Sequence, residues 1–575
     1  MNIAAYSKSY VRNLDFYFRP GLTWPLRASA FSPQPLPAGC IFSIRGYSAF
    51  VEQEQLLWTL SVFGSSIFDY LFKMIVGRTG HPEFLVGVLK VVPWPSVSPD
   101  ERDQLAALAK RAWSLKRTLD TRTETSHAFV LPALLQVDGL SLRNRVEAWL
   151  ARVAEVKAEQ AALQADIDDR CFDLYKISVA ERARIEQGFS GGGAEALSSS
   201  DDEAEDETEE DEVDLVPMAA SLLSWALGVA LGRFDVRLAT GDRALPAEPE
   251  PFDRLPVCSP AMLTGEDGLP LDAPPEGYPL AFPEDGVLVD DVGHPQDLLH
   301  RVSGVFDAVF GEQASERLNE AQGVLGRRNE DLRAWFAKRF FGHHLKRYSR
   351  SGRKAPIYWQ LGTPSASYSV WCYCHRLNDD TFFRLCELVQ HKVEHEEGKL
   401  NTLRQEAGTD PPSMQRRVID AQESFVSELR AFREEVERVA PLWKPDLDDG
   451  VIIHFAPLWR LVPNDKPWQR QCKKVWDALR RGDYDWAHLA MHLWPERVVP
   501  KCVKDRSLAI THGLETEFWL EDDDGKWQPR KVNSMRVGEL VAERSSRAVK
   551  AALGALVSAP VQGGSTRRGR KRGGA

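Results

Sequence analysis

A run of acidic residues near position 200 constrains the fold of this chain most strongly. From Asp201 to Asp214 the sequence reads DDEAEDETEEDEVD, with no basic residue, and the stretch before it from Gly188 is rich in glycine and serine. Such a segment buries too little apolar surface to offset the conformational entropy lost on folding. The sequence therefore predicts a disordered linker over residues 188–214, with folded regions on either side.

The same run accounts for the charge of the whole protein. The 575 residues carry a formal net charge of -11, and the acidic residues of this run equal that whole excess. The rest of the chain is formally neutral, so its surface can carry local basic patches. The overall charge therefore does not exclude a nucleic-acid partner.

Length and composition predict a multidomain α+β protein, because single cores seldom grow beyond about 250 residues. Shifts in composition and clusters of proline and glycine divide the chain into five segments. They are a mixed α/β segment at 1–95, a helical spacer at 96–187, the acidic linker at 188–214, a mainly helical region with a basic loop and a β-hairpin at 215–556, and a basic disordered tail at 557–575.

Apolar periodicity predicts the main elements within these segments. In the spacer, Leu142 to Leu174 carries apolar residues at alternating spacings of four and three, which predicts one helix about 50 Å long. The first segment has three β-type runs, LDFYF, CIFSIR and FLVGVLKVV, and a helical stretch from Gln53 to Val76. The fourth segment is expected to contain a helix at Met218–Leu231, helical stretches around His294–His343, a hairpin of APIYWQL and SYSVWCYCHRL around GTPSAS, and two charged helices between Asp379 and Val439.

Cysteine usage and hydropathy indicate the compartment. The eight cysteines are irregularly spaced and do not suggest a disulfide framework, and the N-terminal residues do not resemble a secretory signal. The longest apolar run, about Pro217 to Gly232, is too short to cross a bilayer. The sequence therefore predicts a cytoplasmic protein without a membrane partner.

The sequence predicts no catalytic residue and no metal site on this chain. Transfer of a methyl group to an exocyclic amine needs a glycine-rich turn after a strand and an Asn/Asp/Ser-Pro-Pro-aromatic motif. The nearest match, Asp410-Pro411-Pro412-Ser413, lacks the aromatic residue and is typical of a turn between helices. Six potential zinc ligands lie within 24 residues but show no paired CxxC spacing, namely Cys372, Cys374, His375, Cys386, His391 and His395.

Basic residues in two regions are candidates for contacts with DNA, because Lys and Arg neutralise phosphates and Arg can contact guanine in the major groove. The densest group is the stretch KRYSRSGRK, and a solvated loop is an equally good interpretation of it. The candidate DNA-binding residues are Arg19, Arg27 and Arg45 in the first segment, and Lys346, Arg347, Arg350, Arg353 and Lys354 in the fourth.

Several blocks of the chain resemble one family. The passage FRPGLTWPLRASAFSPQPLPAGCIFSIRGYSAF and the exit VPWP at Val92–Pro95 resemble a target-recognition domain followed by a helical spacer. Later blocks resemble the same family in the same order: LLSWALGVALGRFDVRLAT, PFDRLPVCSPAML, LKRYSRSGRKAPIYWQLGTPSASYSVWCYCHRL, DDGVIIHFAPLWRLVP and GDYDWAHLAMHLWPERVVPKC. The family is that of the large Eco-type and BREX (PglX-like) bacterial adenine-specific DNA methyltransferases, which are related to type IIG restriction-modification enzymes.

The resemblance implies a DNA-binding specificity portion of such a methyltransferase, in phage defence or restriction-modification. Its catalytic domain, which would bind S-adenosylmethionine, is expected on a separate chain, and residues 1–95 are expected to be part of a target-recognition domain. Two alternatives remain open at this point. One is a non-functional fragment of a split methyltransferase gene, and the other is a protein-interaction scaffold in a defence complex. The acidic run is expected to act as a tether, and less readily as a mimic of DNA.

Overall fold

The computed structural model describes residues 13–43, 46–77, 82–191, 214–327, 330–350, 353–408, 411–523 and 525–559. Its fold is α+β, with many helices and several small sheets, as the sequence predicts. Residues 192–213 of the linker predicted at 188–214, and residues 560–575 of the tail predicted at 557–575, lie outside the described residues. All eight cysteines are free thiols.

The chain forms two compact units. The N-terminal unit contains the described residues of 11–280 and 302–325, and the C-terminal unit contains 281–301 and the described residues from 326 onward.

In the N-terminal unit, a small sheet and a group of helices share one core. The strands are β1 (Gly21–Pro25), β2 (Gln34–Leu36) and β3 (Gly46–Ala49), in the antiparallel order β2-β1-β3. The helices are α1 (Leu56–Phe63), α2 (Ser66–Val76), α3 (Val86–Leu89), α4 (Pro99–Asp120), α5 (Leu142–Leu174), α6 (Val179–Gly191), α7 (Leu215–Ala230), α8 (Arg237–Thr240), α9 (Leu298–Phe310), in which the chain passes from one unit into the other, and α10 (Ala314–Leu325).

Local signals account for the two long helices α4 and α5. Ser98 and Glu101 form a reciprocal capping box at the start of α4, with Pro99 at the first helical position. The Ser141 hydroxyl accepts a hydrogen bond from the N–H of Asn144 at the start of α5, which has the predicted bounds. The apolar stripe of α5 includes the buried Trp149, and this helix packs against α4 and α7.

The apolar run from Phe84 to Val92 does not form the predicted strand. It contains the short helix α3, whereas the strands of this segment lie at Gly21–Pro25, Gln34–Leu36 and Gly46–Ala49. A short apolar run has no period that separates a strand from a buried helix. Here Phe84 packs among the rings of Phe31 and Phe72, at centroid separations of 5.2 and 5.1 Å, and so belongs to the aromatic core.

In the C-terminal unit, one buried sheet lies among helices. Its elements are β4 (Val287–Val289), α11 (Leu332–Trp335), a π-helical turn (Phe336–Phe340), α12 (Phe341–Arg347), β5 (Ser349–Arg350), β6 (Arg353–Lys354), β7 (Tyr358–Gly362), β8 (Ser369–Tyr373), α13 (Thr381–Ala407), α14 (Ser413–Val439), α15 (Val451–Phe455), α16 (Lys466–Arg481), α17 (His488–Leu493), α18 (Pro495–Cys502), α19 (Arg506–Thr511), α20 (Glu515–Phe518), β9 (Trp519–Glu521), β10 (Trp527–Pro529), α21 (Ser534–Arg544) and α22 (Arg547–Ser558).

The predicted hairpin and the predicted helix pair of this unit are confirmed. Strands β7 and β8 pair antiparallel with Tyr358 opposite Tyr373, and β4 extends the sheet on the other side of β8. Every residue of these three strands is buried. Helices α13 and α14 pack against each other, and the turn at Pro411–Pro412 lies between them.

Among the described residues no single helix is long and apolar enough to cross a membrane. Two consecutive stretches, Gln53–Phe63 and Ser66–Val76, reach that length and composition together but are bent by 74°. Several of their side chains, including Leu56, Ile67 and Phe72, are buried in the core of the N-terminal unit.

Candidate nucleic-acid interface

The predicted basic stretch forms a small β-hairpin anchored to the core of the C-terminal unit. We call the described residues 346–350 and 353–354 the basic hairpin, in which strand β5 pairs with β6 so that Ser349 lies opposite Lys354. The buried ring of His344 on α12 accepts hydrogen bonds at Nε2 from the N–H groups of Ile357 and Tyr358, both at 3.0 Å. These bonds fix the end of α12 to the strand that follows the hairpin.

Three cations of the basic hairpin have no acidic partner among the described residues. Lys346 and Arg353 are exposed and Lys354 is half-buried, and none of them forms an ion pair there. Arg347 is half-buried, and the side chain of Arg350 lies outside the described residues. Lys346, Arg353 and Lys354 thus present positive charge that no described carboxylate neutralises.

Helix α16 carries a second group of cations, which the sequence analysis did not single out. Lys466, Arg470, Lys473 and Lys474 are spaced by four, three and one residues, which places them on one face of the helix. All four are exposed. The other face buries apolar side chains, namely Trp468, Cys472, Val475, Trp476, Ala478 and Leu479. We call α16 the basic helix.

Most of this charge is also unpaired. Lys473 lies 3.4 Å from the carboxylate of Asp477, whereas Lys466, Arg470 and Lys474 form no ion pair with the described residues. Capping residues define both ends of the helix. The Asp465 side chain accepts a hydrogen bond from the N–H of Trp468 at its start, and Gly482, with φ of 91°, ends it in the left-handed region.

One cation of the basic hairpin, Lys354, lies near the buried face of the basic helix. Burial raises the pKa of the Cys472 thiol on α16, and the positive charge of Lys354 acts in the opposite direction on that pKa. Lys354 therefore lies close to α16, although the two residues are more than one hundred positions apart in sequence. Together the two elements of the C-terminal unit carry six cations that form no ion pair with the described residues, namely Lys346, Arg353, Lys354, Lys466, Arg470 and Lys474.

The candidate residues of the first segment belong to the N-terminal unit. Arg19 is exposed, and its guanidinium lies 5.4 Å from the ring centroid of Phe16. Arg27 donates from Nε to the carboxylate of Glu83 at 3.0 Å, so that part of its charge is neutralised. Arg45 lies outside the described residues. The structure therefore gives these arginines less support as a DNA-binding group than the two basic elements.

The structure does not gather the six potential zinc ligands into a site. Cys372 and Cys374 are buried on or next to β8, and the Cys374 Sγ lies 3.4 Å from the His375 Nδ1. His391 and His395 are exposed on α13. Among the described residues, the three-ligand group that could hold a metal ion comes from elsewhere, from Asp446, Asp449 and His488.

The basic helix could have been found from sequence. The stretch KPWQRQCKKVWDALRR has basic residues at helical spacing on one face and apolar residues on the other, and Gly482 follows as a stop signal. Its proximity to the hairpin could not, because that depends on how α16 packs.

Comparison with known proteins adds no family. No family model matches the chain, and no curated protein matches it. The functional argument therefore rests on the charges and contacts of these two elements.

Proposed function

We propose that this chain binds double-stranded DNA through the basic hairpin and the basic helix. The observation that carries this proposal is the group of six cations, on two elements of the C-terminal unit, that form no ion pair with the described residues, in a protein whose net charge is -11. Fixed cations displace condensed counterions from a DNA backbone, and the entropy of their release drives binding. The basic helix is about 24 Å long, so its stripe can follow several successive phosphates.

We further propose that this DNA binding serves an adenine-specific methyltransferase of a phage-defence or restriction-modification system. This part rests on the resemblance of several blocks to that family, one of which contains the basic hairpin. In this proposal a separate methyltransferase chain binds S-adenosylmethionine and flips the adenine, while the present chain holds the duplex. Extrusion of a base requires the flanking duplex to be held, which is the role that these cations would perform.

The first experiment measures DNA affinity of the full chain across a salt series. The triple variant Lys466→Ala, Arg470→Ala, Lys474→Ala removes three of the unpaired cations. If each contacts a phosphate, the slope of log K against log salt should decrease in magnitude by about 2.7.

The matched control removes three exposed cations of α4, Lys110, Arg111 and Lys116, in the N-terminal unit. The first two form ion pairs with Glu250 and Glu159. The control changes the net charge equally and should leave the slope unchanged. An absence of salt-dependent DNA affinity in the unmodified chain would refute the proposal, and so would equal losses in both variants.

The second experiment tests the methyltransferase role by adding the protein encoded immediately upstream. Labelled methyl groups from S-adenosylmethionine should appear on adenine only when both proteins and DNA are present. The triple variant should reduce this labelling at moderate salt. DNA binding without any methylation would support the first part of the proposal and contradict the second.

A further inference from the structure

Three metal-ligating atoms converge in the C-terminal unit, on residues that the proposed DNA contacts do not use. The Nδ1 of His488 lies 3.0 Å from the Oδ1 of Asp449 and 3.3 Å from the Oδ2 of Asp446. All three atoms lie within 4.8 Å of one another. Asp449 ends a short 3-10 turn, Leu447–Asp449, Asp446 directly precedes this turn, and His488 is the first residue of α17.

Backbone hydrogen bonds fix both carboxylates. The Oδ1 of Asp446 accepts the N–H of Asp448 at 3.1 Å, so that its Oδ2 faces His488. The Oδ2 of Asp449 accepts the N–H of Leu489 at 2.8 Å, and its Oδ1 faces the same ring. The backbone N–H of Asp446 donates to the Nε2 of the buried His454 at 2.7 Å, which holds the turn in place.

Helix capping explains only part of this arrangement. The Asp449 carboxylate caps α17 through the N–H groups of His488 and Leu489. Capping does not account for the second carboxylate, because within the described part of the chain Asp446 forms no hydrogen bond or ion pair with that helix end other than its contact with the His488 ring. A single Nδ1–H cannot form a good hydrogen bond to both carboxylates at once. A cation between the three atoms would satisfy all of them.

A second imidazole lies beside this group. The rings of His488 and His512 have centroids 5.7 Å apart in an edge-to-face arrangement. The Nε2 of His512 donates to the backbone carbonyl of Asp485 at 2.8 Å, so its Nδ1 carries the lone pair when the ring is neutral. That Nδ1 is buried and has no hydrogen-bond partner among the described residues. Metal-binding histidines are oriented in this way, with the other ring N–H on a carbonyl.

We propose that Asp446, Asp449 and His488 bind a divalent transition-metal ion, with the His512 imidazole beside it. Imidazole and carboxylate ligands suit Zn²⁺ and similar ions. For a metal about 2.1 Å from each atom, separations of 3.0 and 3.3 Å correspond to angles of about 91° and about 104° at the metal. Asp446 and His488 are about one-third exposed, which gives an ion access from solvent, whereas Asp449 is buried.

The test is a titration of the full chain with Zn²⁺ after chelator treatment and dialysis. We expect one ion per chain, and at least about a tenfold loss of affinity in Asp446→Asn and in His488→Gln. Asn at position 446 can still accept the N–H of Asp448, so this variant keeps the turn. Circular dichroism should show that both variants retain the helical content of the unmodified protein.

The matched control is His395→Gln, which changes an exposed histidine of α13 and should leave the affinity unchanged. Cobalt substitution separates this site from the cysteines, because thiolate ligands give an intense charge-transfer band in the near ultraviolet. The proposal fails if the unmodified chain takes up less than stoichiometric Zn²⁺, if both site variants bind as well as the control, or if the thiolate band appears.

Discussion

At the scale of single residues, the N-terminal unit contains a buried ion pair whose contribution to stability can be measured. The Oε1 of Glu124 lies 3.0 Å from the Nη1 of Arg233, and Ser224 donates to the other carboxylate oxygen at 2.8 Å. Only 2% of the Glu124 side chain and 9% of the Arg233 side chain are exposed. Neither charge can regain hydration if its partner is neutralised.

We predict that Glu124→Gln lowers the free energy of unfolding by about 3 kcal/mol, because the guanidinium of Arg233 stays buried without the carboxylate charge that faces it. Thermal and urea unfolding would measure this loss. The control is Arg27→Gln in the exposed pair with Glu83, whose side chains are 61% and 40% exposed. That change should cost no more than about 1 kcal/mol. Similar losses in the two variants would contradict the prediction.

At the scale of elements, Glu396 joins helices α13 and α14. It is almost fully buried, and it contacts Lys392 at 2.9 Å, Lys399 at 2.8 Å and the Gln422 amide of α14 at 2.7 Å. Burial alone would raise the pKa of this carboxyl, but the hydrogen bonds from these three groups outweigh it and lower the pKa to about 2. The charged form therefore stabilises the folded state.

We predict a defined pH dependence for this helix pair. The pKa of Glu396 falls from an ordinary value of 4.5 to about 2 on folding, so its stabilising effect is present above pH 4.5 and is lost as the pH falls towards 2. The difference in unfolding free energy between the unmodified protein and Glu396→Gln should therefore narrow between about pH 6 and about pH 3. Urea unfolding at both pH values measures it.

The neighbouring Glu397→Gln is the control, since Glu397 pairs with Arg430 at a more exposed position. Its effect on stability should be smaller at about pH 6, because exposed ion pairs contribute about 1 kcal/mol or less. A difference for Glu396→Gln that stays constant with pH would show that the carboxylate is not the stabilising form.

At the scale of the whole molecule, the charge is divided very unevenly. The negative charge of the acidic run between Asp201 and Asp214 equals the entire negative excess of the chain, whereas the basic hairpin and the basic helix carry cations that form no ion pair with the described residues. Negative charge anywhere on the protein repels DNA over a distance set by the ionic strength, about 30 Å at 0.01 M and about 3 Å at 1 M.

We predict that neutralising this run strengthens DNA binding at low salt. The variant replaces each Asp with Asn and each Glu with Gln from 201 to 214, which keeps the length and side-chain size. The association rate of the variant should be about tenfold higher than that of the unmodified protein at low salt. The two association rates should become equal at high salt. Stopped-flow association measures this rate. Equal rates at low salt would mean that the run does not act on DNA through its charge.

Much of the secondary structure could be predicted because its signals are local. The stripe from Leu142 to Leu174 and the N-cap at Ser141 define α5, and the runs around GTPSAS define the hairpin of β7 and β8. Each signal repeats within a few residues, at the period of the element itself. The run from Phe84 to Val92 is too short for such a period, and its packing against Phe31 and Phe72 accompanies a helix there instead of the predicted strand.

The sequence by itself determined which residues are charged, where the acidic run lies and where the long helix α5 begins and ends. Only the tertiary structure decided which groups meet. Lys354 lies near α16, and Asp446 and Asp449 face His488, because turns and helices far apart along the chain pack on a shared core. The physical reason is that helix and strand periods arise from backbone hydrogen bonds over a few residues. Contacts between residues far apart in sequence instead depend on side chains from distant segments being buried in the same core.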